Sequence, residues 1–131
     1  MGGNPKSTHF ILEIMKAKFN YNSCGVCTNP EIVFHTMKEG ALAWDYVDIE
    51  ISETKGKWIW GSSTCGGGQP CSVVGDSFDN KEDCILDALN DVKRILTKNA
   101  STEDQPFSKN AQRYLDALIV WENNRNQLSL F

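Results

Sequence analysis

The fold is decided by residues 79–98, which read DNKEDCILDALNDVKRILTK. Apolar residues recur in this stretch at the three- and four-residue spacing of one helical face: Ile85, Ala88, Leu89, Val92, Ile95 and Leu96. Asp79 precedes them and Glu82 follows Asp79 three residues later, which is the pattern of a capping box. We therefore expect a helix that begins at Asp79 and packs on the segment just before it.

That preceding segment has the pattern of an antiparallel sheet. Apolar and polar residues alternate over residues 42–53, which predicts a strand with one buried face made by Val47, Ile49 and Ile51. Lys55 and Gly56 predict a tight turn into a second strand, in which Trp58 and Trp60 share a face. A third strand is expected at about residues 71–74, after a glycine-rich loop at residues 66–68.

The flanking regions add helices and one ambiguous segment. Residues 10–15 predict a short helix, residues 17–21 a strand and residues 21–30 a loop. Over residues 31–39, Asn29, Pro30 and Gly40 favour a helix, whereas Ile32 and Phe34 alternate with their neighbours as in a strand; we expect the helix. A last helix is predicted over residues 108–123.

The sequence therefore predicts an α+β fold, in which a small antiparallel sheet of three or four strands has helices packed on one face and is followed by a C-terminal helix. The expected organisation is a core domain over residues 1–98, a linker over residues 99–107, and a C-terminal helix with a docking tail over residues 108–131.

Composition argues against several classes of function. A net charge of −4 on 131 residues argues against direct nucleic-acid binding, which depends chiefly on Lys and Arg. The longest apolar runs, residues 10–12 and 118–121, are far shorter than the roughly 20 residues that span a bilayer. Residues 1–20 also lack the pattern of a secretion signal. We therefore expect a cytoplasmic protein that does not bind membranes.

The order of helix, three antiparallel strands and helix expected over residues 30–98 resembles the topology of double-stranded RNA-binding domains. In that family the last helix begins with a lysine cluster that contacts phosphates. Here the first turns carry Lys81 together with Glu82, Asp83 and Asp87. The resemblance therefore concerns topology, and RNA binding is not expected.

The cysteines suggest two kinds of site. Cys24 and Cys27 form a Cys-Gly-Val-Cys motif, and Cys65 and Cys71 flank the glycine-rich loop. Four thiolates from two loops can hold a tetrahedral structural zinc ion, and buried or idle thiols are the alternative. Cys-Gly-Val-Cys also resembles the redox motif of thioredoxins, which implies a small thiol-redox enzyme acting through Cys24 and Cys27.

The last five residues give the strongest functional signal. Gln127, Leu128, Ser129, Leu130 and Phe131 follow a very polar run over residues 122–126. This peptide resembles the motif by which bacterial polymerases and repair factors bind the replication sliding clamp. The resemblance implies that Gln127 hydrogen-bonds at the rim of the clamp's cleft, Leu128 and Ser129 set an extended backbone, and Leu130 and Phe131 fill its hydrophobic pocket.

The leading hypothesis is a small non-enzymatic accessory or regulatory protein, encoded by a mobile element, that is tethered to the sliding clamp by residues 127–131. One alternative is the thiol-redox protein or another small enzyme. A further alternative is a structural module in which the tail packs on its own fold, or which forms a homodimer through Trp58, Trp60 and the tail.

Overall fold

The computed structural model describes residues 18–128, with side chains described to residue 126. Four strands and two helices follow one another along this part of the chain: β1 (Glu31–Met37), β2 (Tyr46–Thr54), β3 (Lys57–Thr64), β4 (Gly67–Gln69), α1 (Lys81–Ala100) and α2 (Gln105–Leu128). The helix expected over residues 10–15 lies outside the described residues. In the strand expected over residues 17–21, Tyr21 forms a single β-bridge with Cys27, and residues 18–20 are not in a strand.

The strands form one antiparallel sheet in the order β1-β2-β3-β4. Val47, Ile49 and Ile51 on β2 are fully buried beneath the helices, as their alternation predicts. Each such side chain contributes about 1.5–3 kcal/mol of burial free energy. The predicted α+β fold with an antiparallel sheet and a C-terminal helix is confirmed.

β1 occupies the segment for which a helix was expected, so that prediction is wrong. Phe34 pairs with Ile49 of β2, and the register shifts between Ile32 and Phe34 so that Val33 also packs on the core. Pairing with β2 and burial of Phe34 outweigh the local helix signals before and after the segment. The helix-strand-strand-strand-helix order that resembled double-stranded RNA-binding domains therefore does not occur over residues 30–98.

Two-residue turns join β2 to β3 and β3 to β4. Lys55 and Gly56 have φ angles of 53° and 78°, and Cys65 and Gly66 have φ angles of 52° and 92°. Positive φ at both positions is what a type I′ hairpin turn requires. The first turn was predicted, and the second places Cys65 within a hairpin.

The third strand of the predicted sheet is wrongly placed. The strand that the structure shows is β4, Gly67–Gln69, which lies within the segment expected to be a glycine-rich loop. All three of its residues are exposed. Their backbone pairs with β3, but an exposed Gly-Gly-Gln segment carries no alternation of apolar side chains that would reveal a strand. In the expected segment, residues 71–74, a single bridge joins Ser72 to Val26.

α1 begins one residue later than its capping pattern suggested. Asn80 is the N-cap: its side-chain oxygen accepts a hydrogen bond from the backbone N–H of Asp83 at 2.8 Å, and its amide donates to the Asp83 carboxylate. Asp79, the predicted cap, is exposed and instead forms an ion pair with Lys57 at the start of β3.

α2 shares one hydrophobic core with the sheet and α1. Ala111, Tyr114 and Leu118 are fully buried in that core. The linker is shorter than predicted: α1 runs to Ala100 and α2 begins at Gln105, so residues 101–104 form the connection. Because this connection is short, the two helices lie side by side over the same face of the sheet.

A smaller cluster covers part of the sheet face opposite the helices. Cys27, Ile59 and Cys71 are buried there, with Phe19 and Tyr21 packed against them. The Tyr21 hydroxyl lies 3.0 Å from Ser52 Oγ and 2.9 Å from the carbonyl oxygen of Glu53. This cluster fixes the loop of residues 21–30 onto β2 and β3.

Candidate functional site

The peptide that resembles a clamp-binding motif lies at the C-terminal end of α2. The backbone of Gln127 and Leu128 forms the last two residues of this helix. Ser129, Leu130 and Phe131 lie outside the described residues. An extended conformation of the whole peptide therefore requires the last two helical residues to unwind.

The side-chain contacts of α2 with the rest of the fold become polar just before this peptide. Leu118 is fully buried and the Trp121 ring lies 5.3 Å from that of Phe34. These are the last large apolar contacts of the helix up to residue 126, where the description of side chains ends. Four residues beyond Trp121, Arg125 binds Glu82 at 2.6 Å and lies 5.0 Å from the Trp121 ring. The peptide begins two residues after this half-buried cation.

The structure does not bring together the four cysteines proposed as zinc ligands. Cys24 is exposed, Cys27 and Cys71 are buried in the small cluster, and Cys65 lies in the β3-β4 turn. No group of three or more His, Cys, Asp or Glu side chains within residues 18–126 is positioned to hold a metal ion. A zinc site made of all four thiolates would require these loops to rearrange.

Cys27 and Cys71 lie in the same small cluster of buried residues. The backbone N–H of Cys27 donates to the carbonyl oxygen of Cys71 at 2.9 Å. The Cys71 Sγ lies 3.2 Å from Ser52 Oγ, and burial raises the pKa of Cys71 to about 11. Because the thiolate is the form that attacks disulfides, this thiol is a poor nucleophile near neutral pH.

The Cys24–Cys27 motif lies in a loop. Asn22 accepts hydrogen bonds from the backbone N–H groups of Cys24 and Val26 at 2.9 and 3.0 Å, which closes a tight turn. A thioredoxin-type motif instead opens a helix, whose N-terminus stabilises the first thiolate. The residues that follow Cys27 lead into β1 rather than into a helix.

Trp58 and Trp60 occupy different environments. Trp60 is 7% exposed and donates a hydrogen bond from its indole N–H to Asp87 at 2.9 Å, so it belongs to the core. Trp58 is half-buried, with the Lys81 ammonium 5.5 Å from its ring and Phe19 in edge contact. The two rings therefore do not form a single exposed platform.

Asp45 is the polar residue that sequence reasoning missed. It is 6% exposed, and its Oδ2 accepts a hydrogen bond from the Asn110 side-chain amide at 2.6 Å. Its other carboxylate oxygen, Oδ1, is buried. The Cys65 side chain interacts with this carboxylate, and burial together with this interaction raises the pKa of Cys65 to about 12. Asn110 lies 65 positions away in the chain, so no local motif signals this contact.

The comparisons with known proteins find no similarity on which to base a function. No protein-family model matches the chain, and neither a curated protein nor a solved structure matches it. Of the helices in the described part of the chain, none has the length and apolarity that crossing a bilayer requires.

Proposed function

We propose that this chain is a non-enzymatic accessory or regulatory protein that binds the bacterial replication sliding clamp through residues 127–131. The observation that carries the proposal is the agreement of Gln127, Leu128, Ser129, Leu130 and Phe131, type by type and in order, with the clamp-binding motif. The folded body would then be held at replicating DNA by the tether, where a high local concentration substitutes for intrinsic affinity.

The position of the peptide supports this proposal. It begins after Trp121, whose ring contact with Phe34 is the last large apolar contact of α2 among the side chains that the structure describes. Unwinding Gln127 and Leu128 costs on the order of 1 kcal/mol or less, because helix ends fray and both are ordinary helix residues. This cost is small beside the burial of two large apolar side chains in a partner's pocket.

The competing arrangement is a tail that folds back on its own helices. A shallow groove of about 220 Å³ lies between α1 and the end of α2, where Leu86 is 52% exposed and Arg125 lies nearby. Extended residues 129–131 span about 10 Å, so they can reach this groove. Self-packing there would bury Leu86 together with Leu130 or Phe131.

Deletion of residues 127–131 tests the proposal against this alternative. We expect a chain that ends at residue 126 to lose measurable binding to a purified bacterial sliding clamp in calorimetric titration, while its thermal midpoint stays unchanged. Leu86→Gln should leave clamp binding unchanged, and Val120→Ala, which removes an apolar group that is 58% exposed elsewhere on α2, serves as a matched control. Unchanged clamp binding by the shortened chain would refute the proposal. A clear fall in its thermal midpoint would instead favour self-packing.

A further inference from the structure

A shallow depression lies on the face of the sheet opposite the helices. It has a volume of about 230 Å³ and is lined by Trp44, Tyr46, Ser63, Gly66 and Gly67. Tyr46 alternates along β2 with Val47, which is buried in the core shared with the helices, so the Tyr46 side chain is on the opposite face. None of the lining residues belongs to the small cluster around Cys71 or to residues 127–131. A ligand here would therefore concern the folded body and not the proposed clamp tether.

The depression offers an exposed aromatic surface. Trp44 is 48% exposed, and a Cβ on Gly66 would lie 3.4 Å from its ring, so the indole rests against the glycine backbone. Tyr46 is half-buried, and its ring centroid lies 6.1 Å from that of His35. The face of an aromatic ring carries partial negative charge and attracts weakly positive hydrogens, such as the C–H groups on one side of a sugar ring. An exposed indole therefore favours a ligand with a flat apolar face.

Hydrogen-bonding groups border this aromatic surface. Ser63 lines the depression, and Asp48 lies directly opposite Ser63 in the β2-β3 register, so the two side chains are on the same face. The Asp48 carboxylate is 21% exposed and forms a hydrogen bond with the His35 ring. The hydroxyls of Ser63 and Tyr46 make no hydrogen bond among residues 18–126. Because hydroxyls donate and accept and a carboxylate accepts, all three groups can bind the hydroxyl groups of a ligand.

Charge narrows the class of ligand. Asp48 and Glu50 are both on this face of β2, and no Lys or Arg is among the described residues that line the depression. The lining therefore provides no cation for phosphate groups, and the two carboxylates repel them, which argues against nucleotides and single-stranded nucleic acid. A wholly apolar ligand would cover the Ser63 and Tyr46 hydroxyls without giving them partners, which costs free energy. A neutral molecule with one flat apolar face and several hydroxyl groups meets both requirements.

We propose that this depression binds one ring of a neutral carbohydrate. The C–H face of the ring stacks on Trp44, and its hydroxyl groups bind Ser63, the Tyr46 hydroxyl and the Asp48 carboxylate. Trp44, Tyr46 and Ser63 are all at least partly exposed, so the ring can enter without a change in the fold. Gly66 and Gly67 are exposed and have no side chains, so the rest of an oligosaccharide can continue past them into solvent.

The test is a titration of the full chain, followed by two-dimensional NMR of its amide and indole N–H groups. The probes are cellotriose, maltotriose, mannotriose and N-acetylated chitotriose. We expect at least one of them to cause saturable shifts of the Trp44 indole and of the amides of residues 46, 63, 66 and 67, with a dissociation constant of about 10 mM or tighter. Shifts elsewhere, or no binding of any trisaccharide at tens of millimolar, would overturn the proposal.

Two other occupants of this face are distinguished in the same experiment. Tighter binding of decathymidylate than of every trisaccharide at these residues would overturn the proposal in favour of single-stranded nucleic acid. Shifts of the same signals when the free chain is diluted would overturn it in favour of a second copy of the chain.

Variants separate this depression from the apolar surface beside it. Trp44→Ala should weaken binding of the best trisaccharide roughly tenfold or more, because it removes the stacking surface. Ser63→Ala should weaken binding severalfold, and it covers the case in which Trp44→Ala does not fold. Leu42→Ala is the matched control and should leave binding unchanged, because Leu42 is 64% exposed next to Trp44 in a neighbouring cleft but does not line this depression. Unchanged binding by folded Trp44→Ala or by Ser63→Ala, or an equal loss for Leu42→Ala, would overturn the proposal.

Discussion

Replacement of Tyr114 by Phe tests how α2 holds the loop that carries Asp45. Tyr114 is fully buried; its hydroxyl donates to the carbonyl oxygen of Asp45 at 2.9 Å and accepts from the backbone N–H of Lys38 at 3.2 Å. Tyr114→Phe keeps the ring and removes both hydrogen bonds. The Asp45 carbonyl is then left without this partner inside the protein, whereas the exposed Lys38 can recover a bond to water.

The expected loss is about 2 kcal/mol in the free energy of unfolding, because a buried group left unsatisfied costs about 1–3 kcal/mol. For a chain of this size that loss corresponds to a fall of about 6–10 °C in the thermal midpoint. Urea unfolding followed by circular dichroism measures the free energy, and differential scanning calorimetry measures the midpoint.

Tyr46→Phe is the matched control for this experiment. Tyr46 is half-buried on β2, and its hydroxyl makes no hydrogen bond among residues 18–126. Tyr46→Phe should therefore change the free energy of unfolding by less than about 0.5 kcal/mol, as surface substitutions usually do. A loss below that value for Tyr114→Phe, or equal losses for both variants, would refute the role assigned to the Tyr114 hydroxyl.

Three further predictions concern stability. Gly61→Ala should destabilise the fold by about 1–3 kcal/mol or more in urea unfolding, because the new Cβ would lie 2.4 Å from the backbone nitrogen of Cys71. Gly67→Ala is the control and should be tolerated, because its Cβ would lie 3.5 Å from the nearest atom, the carbonyl oxygen of Thr64. Asn80→Ala should lower the free energy of unfolding by about 1 kcal/mol, because Asn80 is the N-cap of α1. This loss should exceed that of Asp79→Ala in the same assay. The pKa of Cys71 is raised to about 11, so its stabilising contribution is complete below pH 9 and is lost as pH rises towards 11, by at most about 1.4 kcal/mol per pH unit. Urea titrations from pH 7 to 11 should show a shallower loss for Cys71→Ala, and an identical pH dependence would contradict this.

Local sequence patterns predicted those elements whose buried face follows from their own residues. The alternation in β2, the turn at Lys55 and Gly56, and the apolar stripe of α1 all have the predicted structure. Each of these patterns lies within a single strand, turn or helix. The periodicity of such a segment directly reports which face is buried.

Elements that depend on distant partners were predicted less well. β1 carries helix signals at both ends, yet its pairing with β2 decides its conformation. β4 has no alternation, because its three exposed residues contribute backbone pairing alone. The N-cap is Asn80 rather than Asp79, which forms an ion pair with Lys57 on another element.

The candidate sites follow the same rule. The peptide proposed to bind the clamp is continuous, so its resemblance to the motif was visible in the sequence. The environment of Asp45 depends on Asn110 and Tyr114, which are 65 and 69 positions away, and could not be predicted without the packing of α2. The association of Cys27 with Cys71, rather than with Cys24, likewise depends on how two loops meet on the sheet.

Competition for the clamp's peptide cleft tests the proposed function most directly. A fluorescent peptide derived from a clamp-binding polymerase is bound to purified bacterial sliding clamp, and its anisotropy is followed as this chain is added. We expect the chain to displace the peptide, and Leu130→Ala and Phe131→Ala each to weaken displacement roughly ten- to a hundredfold, since a buried side chain of this size contributes about 1.5–3 kcal/mol. A chain that leaves the labelled peptide bound, or that displaces it equally well with both side chains removed, would contradict the assignment.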